Sequence, residues 1–369
     1  MDLENIISRE EIQNYHKDFK NVKSSKLRQG VVFTIMHMNR IFQSSLIVLQ
    51  NPPIWVNIIK SFIKAVLGKK SLLRSLEIAV TYRCNSSCQQ CSCRLHFDKE
   101  LEKTSRLTLD EFKNAIDQAV GLGAFQFTIN GGEPMLEEKT VFSLIEYIKG
   151  HQGRYVHLCT NGTLLDDKKI QMLVDSGLDS IEIGFDSAFE IIHDTNRIKG
   201  SFKKILESIE ICKKNNLKVV LNTILTNEKV LSDDIIYTFR LAKHLGCFLQ
   251  ITPCCLTGAL KNRLDLMLTD EAKLYFHWLL SKSWNNRSDL YSSLTNIKCP
   301  AAREKIGLQP YGDVVSCPLI QIRYGNIREK SLKDIQQEML RNPYYLLKKD
   351  QGCLPAMSEE FIKGYLLDK

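Results

Sequence analysis

Between residues 76 and 253 the chain repeats one rhythm, a short apolar run followed by a helical stretch of roughly ten to fifteen residues. The apolar runs are residues 76–82, 125–130, 155–160, 180–185, 217–225 and 248–253. Between them, stretches such as 107–123 (opened by Thr108 as an N-cap) and 202–215 carry apolar residues at helical spacing. Strands separated by helices of this length imply βαβ units around a parallel sheet. Six strands are fewer than the eight of a closed barrel, so a partial barrel and a doubly wound sheet both remain open. In either, functional groups belong at the carboxyl ends of the strands, and the distinctive residues of this chain fall there.

The rhythm divides the chain into a helical segment, 1–73, a βα region, 74–256, and a tail, 257–369, in which the repeat fades. Residues 55–67 place Trp55, Ile58, Ile59, Phe62, Ile63, Val66 and Leu67 at helical spacing, with Lys60 and Lys64 on the other face and Lys69 and Lys70 following. Such a helix either packs on the main domain or lies on an anionic membrane surface. Residues 31–49 are interrupted by His37, Asn39 and Arg40, which fits an amphipathic helix better than a span. There is no run of eighteen apolar residues and the first residues are acidic and polar, so the expected setting is cytoplasmic, with peripheral membrane contact allowed. Fifty Lys and Arg against 42 Asp and Glu give +8, which favours anionic partners without naming one. Nothing else points to nucleic acid. Twelve cysteines in a reducing compartment suggest metal or redox chemistry before disulfides.

Directly after the first strand stand Cys84, Cys88 and Cys91, a CxxxCxxC spacing. Three thiolates on one short loop can converge on a single metal centre, and soft sulfur selects zinc, Cu(I) or iron–sulfur clusters. A structural zinc site wants four ligands, whereas three thiolates would leave one iron of a [4Fe–4S] cluster open. A zinc knuckle or buried structural thiols are the competing explanation. The second strand ends in Asn130-Gly131-Gly132-Glu133-Pro134. Paired glycines let backbone approach a ligand closely, and a carboxylate beside them can receive an ammonium.

This constellation resembles the radical SAM superfamily. The resemblance implies a partial (β/α)6 TIM-like barrel with an N-terminal helical segment and a small C-terminal α+β extension. It implies that Cys84, Cys88 and Cys91 hold three irons of a [4Fe–4S] cluster while S-adenosylmethionine (SAM) chelates the fourth. Reductive cleavage of SAM would then give a 5′-deoxyadenosyl radical that abstracts hydrogen from a substrate. Gly131, Gly132 and Glu133 match the motif that binds the methionyl amino group. Asn161, Asp186 and Arg197 match positions that contact the SAM ribose or carboxylate, and Asn222 on the fifth strand is a further candidate. For these residues the plainer explanations are turn chemistry, helix capping or, for Asn222, a buried amide. Two departures stand out: Gln90 where an aromatic residue often precedes the third cysteine, and Gly184 where a serine is usual. His193 reads as a surface or supporting residue rather than a metal ligand, and Cys93 as an inert neighbour.

The tail carries Cys299, Cys317 and Cys353, with Gly312 five residues before Cys317. This resembles the SPASM/twitch extension, whose hairpin binds an auxiliary iron–sulfur cluster. The terminal cysteines of the full pattern are missing, so the resemblance implies one auxiliary cluster, with Cys254 or Cys255 as fourth ligand or with an iron left open. Isolated buried thiols are the alternative, and Cys159, Cys212 and Cys247 read as core. The expected protein is a radical SAM enzyme fed by a flavodoxin or ferredoxin, acting on a peptide or protein, or on a lipid or small-molecule natural product. Residues 55–67 tilt that choice toward lipid, and the flanking segments are the expected lids. The rival is a non-catalytic iron–sulfur or zinc redox or partner protein. No residue is nominated as a substrate acid or base.

Overall fold

The alternation that defines the strands in sequence also divides their two faces. In the computed structural model, which describes residues 6–50, 54–67, 71–93, 96–288, 299–346 and 352–366, the strands are β1 (Ser75–Ala79), β2 (Gln126–Asn130), β3 (Tyr155–Thr160), β4 (Ser180–Gly184), β5 (Lys218–Leu225), β6 (Phe248–Pro253), β7 (Asn286–Arg287), β8 (Lys305–Leu308), β9 (Asp313–Cys317) and β10 (Ile320–Asn326). One face of β1 to β6 presents Leu76, Ile78, Phe127, Ile129, Val156, Leu158, Ile181, Ile183, Leu221 and Ile251, all fully buried in the main core. Each such side chain contributes about 1.5–3 kcal/mol by leaving water. That face takes the helices. The other carries mainly polar side chains and curls round a lumen.

The helices are α1 (Arg9–Lys23), α2 (Lys26–Gln50), α3 (Trp55–Val66), α4 (Lys99–Thr104), α5 (Leu109–Leu122), α6 (Glu138–Gly150), α7 (Asp167–Asp175), α8 (Glu190–Asn196), α9 (Ser201–Lys214), α10 (Asp233–His244), α11 (Asp270–Ser281) and α12 (Leu332–Met339). Thr108 caps α5 as its sequence predicts, in a reciprocal capping box with Glu111.

β1 to β6 lie parallel in chain order, a half-barrel of six βα strands. The sheet continues past both edges, which the sequence rhythm does not reveal. β7 adds to β6 and β8 adds parallel to β1, while β9 and β10 continue antiparallel, giving the order β10-β9-β8-β1-β2-β3-β4-β5-β6-β7. The tail is therefore hydrogen-bonded to the first strand.

The N-terminal helices do not sit over the strand ends where lids are expected. Helix α1 packs on α10 and α11, with Phe19 edge-on to Tyr275 at 4.8 Å and Asp18 accepting from Trp278 Nε1 at 2.8 Å. Helix α3 closes the amino end of the strands. Ile54 and Ile58 pack on Phe125 and Tyr155, and Asn57 and Lys64 donate to the carbonyls of Gly153 and Leu122.

Candidate active site

β1 stops at Ala79, three residues earlier than its apolar run predicts, because residues 81–83 serve as the rail on which the Gly-Gly-Glu segment is laid. Gly132 N–H donates to Thr81 O at 2.7 Å and Glu133 N–H to Arg83 O at 2.8 Å. Gly131 adopts φ +144°, and a Cβ on Gly132 would sit 2.6 Å from Tyr82 O. The paired glycines are thus required by a backbone-to-backbone approach within the chain itself. This approach fixes the segment that leads into Cys84.

Glu133 is 0% exposed and faces inward. Its carboxylate accepts from Thr160 Oγ1 at 2.7 Å, Asn161 N at 2.7 Å and Met135 N at 3.0 Å. Burial pushes its carboxyl pKa up, against the pull of these donors. Glu133 laces the ends of β2 and β3 together. Asn161, the next residue along, holds the cysteine loop: its amide donates to Asn85 Oδ1 at 2.7 Å and to Ser86 Oγ at 3.2 Å.

At the end of β4, Asp186 pairs with Arg197 at 2.8 Å. Burial, the largest influence, would raise the Asp186 carboxyl, but the charge and hydrogen bond of Arg197 together with the Lys229 charge outweigh it and hold the group below the usual range. Gly184 makes this possible, since a Cβ there would lie 2.5 Å from the Arg197 guanidinium carbon. The departure from serine is therefore coupled to the position of the arginine. Lys229 Nζ, a partner missed in the sequence, donates to Asp186 O at 2.5 Å, and His193 takes the supporting of its two expected places, fully buried and accepting from Asp186 N–H through Nδ1 at 3.2 Å. A single lysine in the loop after β5, beside Glu228, forms no motif, so Lys229 could not be read.

The thiols of Cys84, Cys88 and Cys91 lie on this rim, Cys84 exposed and the other two half-buried. Burial pushes Cys84 up to about 11 and raises Cys88, where the Arg197 charge acts in opposition. A metal must therefore displace protons to bind. On the far side the chain after β6 clamps the loop: Ala259 N–H donates to Cys91 O at 2.9 Å, and Gly258 passes so close that a Cβ would lie 2.5 Å from the Ser92 carbonyl carbon. The fit to an anionic ligand group is visible in Arg197 Nε, which is buried with no partner among the described residues. Cys93 is half-buried beside Tyr82 and Tyr311.

Asn222 lies lower, in the lumen. Its amide donates to Glu182 Oε1 at 2.5 Å and accepts from Thr252 Oγ1 at 3.1 Å. Glu182 also meets His157 Nε2 at 3.3 Å and Arg287 at 3.7 Å, and Lys305 pairs with Glu77 across β8 and β1. Cys159, expected in the core, faces this lumen beside His157 and Glu182. Both ring nitrogens of His157 are engaged, one by Ser180 Oγ at 2.6 Å, so the trio is a hydrogen-bonded network and not a ligand set. Cys212 and Cys247 are core residues, as expected.

The tail thiols converge. Ala302 N–H donates to Ser316 O at 2.9 Å, drawing the Cys299 segment to the end of β9 at Cys317. The Cys299 thiol lies near enough to Cys353 and to the backbone of Leu354 to feel both. All three pack on one core with Cys255. None of the twelve cysteines forms a disulfide.

A curled half-barrel whose first strand feeds a three-thiol loop, rimmed by a carboxylate–guanidinium pair, has the donor set of a soft-metal centre. Residues 78–242 match the family model of the radical SAM superfamily, and residues 299–355 match SPASM, an iron–sulfur cluster-binding domain. The AdoMet-dependent heme synthase of Methanosarcina barkeri (strain Fusaro / DSM 804) is 32% identical over 308 residues, covering 74% of this chain and 86% of that protein. The GTP 3′,8-cyclase of Clostridium perfringens (strain 13 / Type A) is 26% identical over 286 residues, covering 72% and 86%. Among solved structures, native anSMEcpe with bound AdoMet superposes with a TM-score of 0.57 at 18% identity, covering 77% of this chain and 91% of that one. Streptococcus suis SuiB bound to precursor peptide SuiA gives 0.57 at 16%, covering 76% and 68%. The chain belongs to the radical SAM superfamily. It is an enzyme of that superfamily, with a [4Fe–4S] cluster that works with SAM and a SPASM-type tail for auxiliary iron–sulfur chemistry. No helix among the described residues is long and apolar enough to cross a membrane.

Proposed function

We propose that the enzyme uses SAM to abstract a hydrogen atom from a polar substrate held in the lumen, with a peptide as the favoured class. Cys84, Cys88 and Cys91 would hold the cluster. When bound and reduced, it supplies the electron that cleaves SAM to methionine and a 5′-deoxyadenosyl radical. The observation that carries the reading is the ring of fixed groups around the loop: Asn161 orients it, Gly258 and Ala259 clamp it, and Arg197 offers a buried, unpartnered N–H to the SAM carboxylate. Glu133 is committed to the strand ends, so its contribution to holding the amino group is to fix the carbonyls of its own segment. A small reduced flavodoxin or ferredoxin would supply electrons. The test is anaerobic reconstitution with iron and sulfide, then dithionite and SAM. Release of 5′-deoxyadenosine is expected, and colourless protein that leaves SAM intact would return the rival reading of a non-catalytic iron–sulfur or zinc protein.

The substrate class follows from the lumen. Glu77, Lys305, His157, Glu182, Asn222, Gln250 and Arg287 line it with charges and amides already in hydrogen-bond register. Displacing such groups with a hydrocarbon chain would strand them at about 1–3 kcal/mol each. A peptide offers amides that can replace them, and SuiB, a neighbour in fold, binds a precursor peptide. Helix α3 gives little support to a lipid, because it sits at the amino end of β2 and β3, a strand length from the cysteine loop.

We infer separately that α3 docks on an anionic bilayer. Its polar residues Asn57, Ser61 and Lys64 turn inward, while Trp55, Val56, Ile59, Phe62, Ile63 and Leu67 are 44–68% exposed on the outward face. Lys60 is exposed on the same helix, and Lys69 and Lys70 follow in sequence, charges that suit acidic headgroups at about 1 kcal/mol each. Sedimentation with phosphatidylserine vesicles at low salt should carry the protein down, and Phe62→Glu should release it. Failure to sediment, or a concentration-dependent dimer that Phe62→Glu abolishes, overturns the inference.

A further inference from the structure

We propose that Cys255, at the carboxyl end of β6, is the fourth thiolate of the auxiliary cluster with Cys299, Cys317 and Cys353, and that its neighbour Cys254 is not a ligand. This rests on the cluster-binding reading of the tail. It goes beyond that reading because Cys255 lies outside residues 299–355, which match the cluster-binding domain.

The two adjacent cysteines diverge because β6 has just ended and its alternation still sends successive side chains to opposite sides. Cys254 is 1% exposed and packs in a small apolar cluster with Leu260, Leu268 and Ala272, its backbone tied to Leu225 O at 2.9 Å. Cys255 turns the other way, onto the main core against which the three tail cysteines also pack. Its thiol donates to Pro253 O at 3.3 Å and lies close enough to that of Cys353 to raise the latter's pKa. Leu256 N–H donates to Pro355 O at 3.3 Å, which seams the end of β6 to the Cys353 segment.

The placement has a mechanical consequence. Thr257 N–H is bonded to Cys255 O, and the next two residues, Gly258 and Ala259, are the clamp on the Cys91 and Ser92 carbonyls. Five residues therefore join the proposed ligand of one cluster to the loop that carries the other. Anchoring Cys255 to iron would fix the clamp, so loss of the ligand should loosen the radical site without touching its cysteines.

The experiment uses the full chain with Cys84, Cys88 and Cys91 all replaced by alanine, reconstituted anaerobically, so that only the auxiliary cluster can form. About four irons per chain are expected in that background. Adding Cys255→Ala leaves a cluster held by three thiolates. When ferricyanide removes one electron it sheds the unligated iron as Fe2+, turning [4Fe–4S]2+ into [3Fe–4S]+, with a new paramagnetic signal and about three irons retained. Adding Cys254→Ala should leave the iron count and spectrum unchanged. Cys255→Ser, closer in size, carries the same spectral expectation should the alanine variant not accumulate. A Cys255 variant whose cluster resists ferricyanide as the background does overturns the proposal, as does loss of iron in the Cys254 variant. Cys317→Ala in the same background separates the two levels: if it too keeps four irons after ferricyanide, the cluster reading of the tail fails first.

Discussion

The two cysteine constellations are built oppositely. Cys84, Cys88 and Cys91 come from one eight-residue loop, reach the rim of the half-barrel and share it with Arg197. Cys299, Cys317 and Cys353 come from three separated segments and pack on the main core, Cys353 buried and the other two half-buried, and desolvation raises Cys299 to about 12 and Cys317 well above its usual range. Cys353 is raised first by the neighbouring Cys255 thiol and then by burial. A site on a short loop needs its surroundings to hold it, hence the rail of residues 81–83, the Asn161 bonds and the Gly258 clamp. A site assembled from distant segments needs a finished fold before it exists. The first suits a cluster that must exchange a ligand, the second one that must not.

The sharpest way to break this contrast is to delete one thiol from each set. Cys88→Ala should lower 5′-deoxyadenosine formation by on the order of a thousandfold or more, since a lost cluster removes the reaction. Cys317→Ala should leave substrate-free SAM cleavage within about threefold while abolishing product, as read by chromatography of both. Equal losses in the two variants would erase the distinction.

The rim can be probed next through its close approaches. Gly132→Ala forces a Cβ onto the carbonyls of residues 82 and 83, and should cost about 2–4 kcal/mol in a denaturant melt and weaken SAM binding in parallel. Gly184→Ser, which restores the hydroxyl usual in the family, should harm this protein. It displaces the Arg197 guanidinium and should raise the SAM dissociation constant on the order of tenfold, about 1.4 kcal/mol, by calorimetry. Unchanged affinity would mean that the arginine does not serve SAM.

The smallest effect tests the seam between barrel and tail. Arg328 grips Glu111 with two hydrogen bonds, at 2.5 and 3.0 Å, and these pull the Glu111 carboxyl down to about 2. A depressed carboxyl stabilises the fold above its unfolded value of about 4.3 and loses that contribution as pH falls toward 2. The pair is largely exposed, so screening holds it below about 1 kcal/mol. Arg328→Ala should lower the melting temperature slightly at pH 7 and make no difference near pH 2.

Much of the half-barrel was legible because strand and helix periods are local properties of the chain. The N-cap at Thr108 and the loop of Cys84, Cys88 and Cys91 were equally plain, their partners lying within a few residues. Long-range pairings were not. β8 joins β1 across more than two hundred residues, and β7 is only two residues long, too short to show a period. The lumen network of His157, Glu182, Asn222 and Arg287 draws one residue from each of four strands, so no spacing announces it. The outward apolar face of α3 was visible as a stripe, but its direction was not.

By itself the sequence determined the order of strands and helices, which face of each strand is apolar, and which three thiols lie on one loop. Those are consequences of backbone geometry and of hydrophobic period, both short-range. Only the tertiary structure decided that Gly184 makes room for Arg197, that Cys255 and not Cys254 meets the tail thiols, and that the lumen is polar. Each depends on segments brought together by the closing of the sheet, and contact between distant segments has no imprint in local spacing.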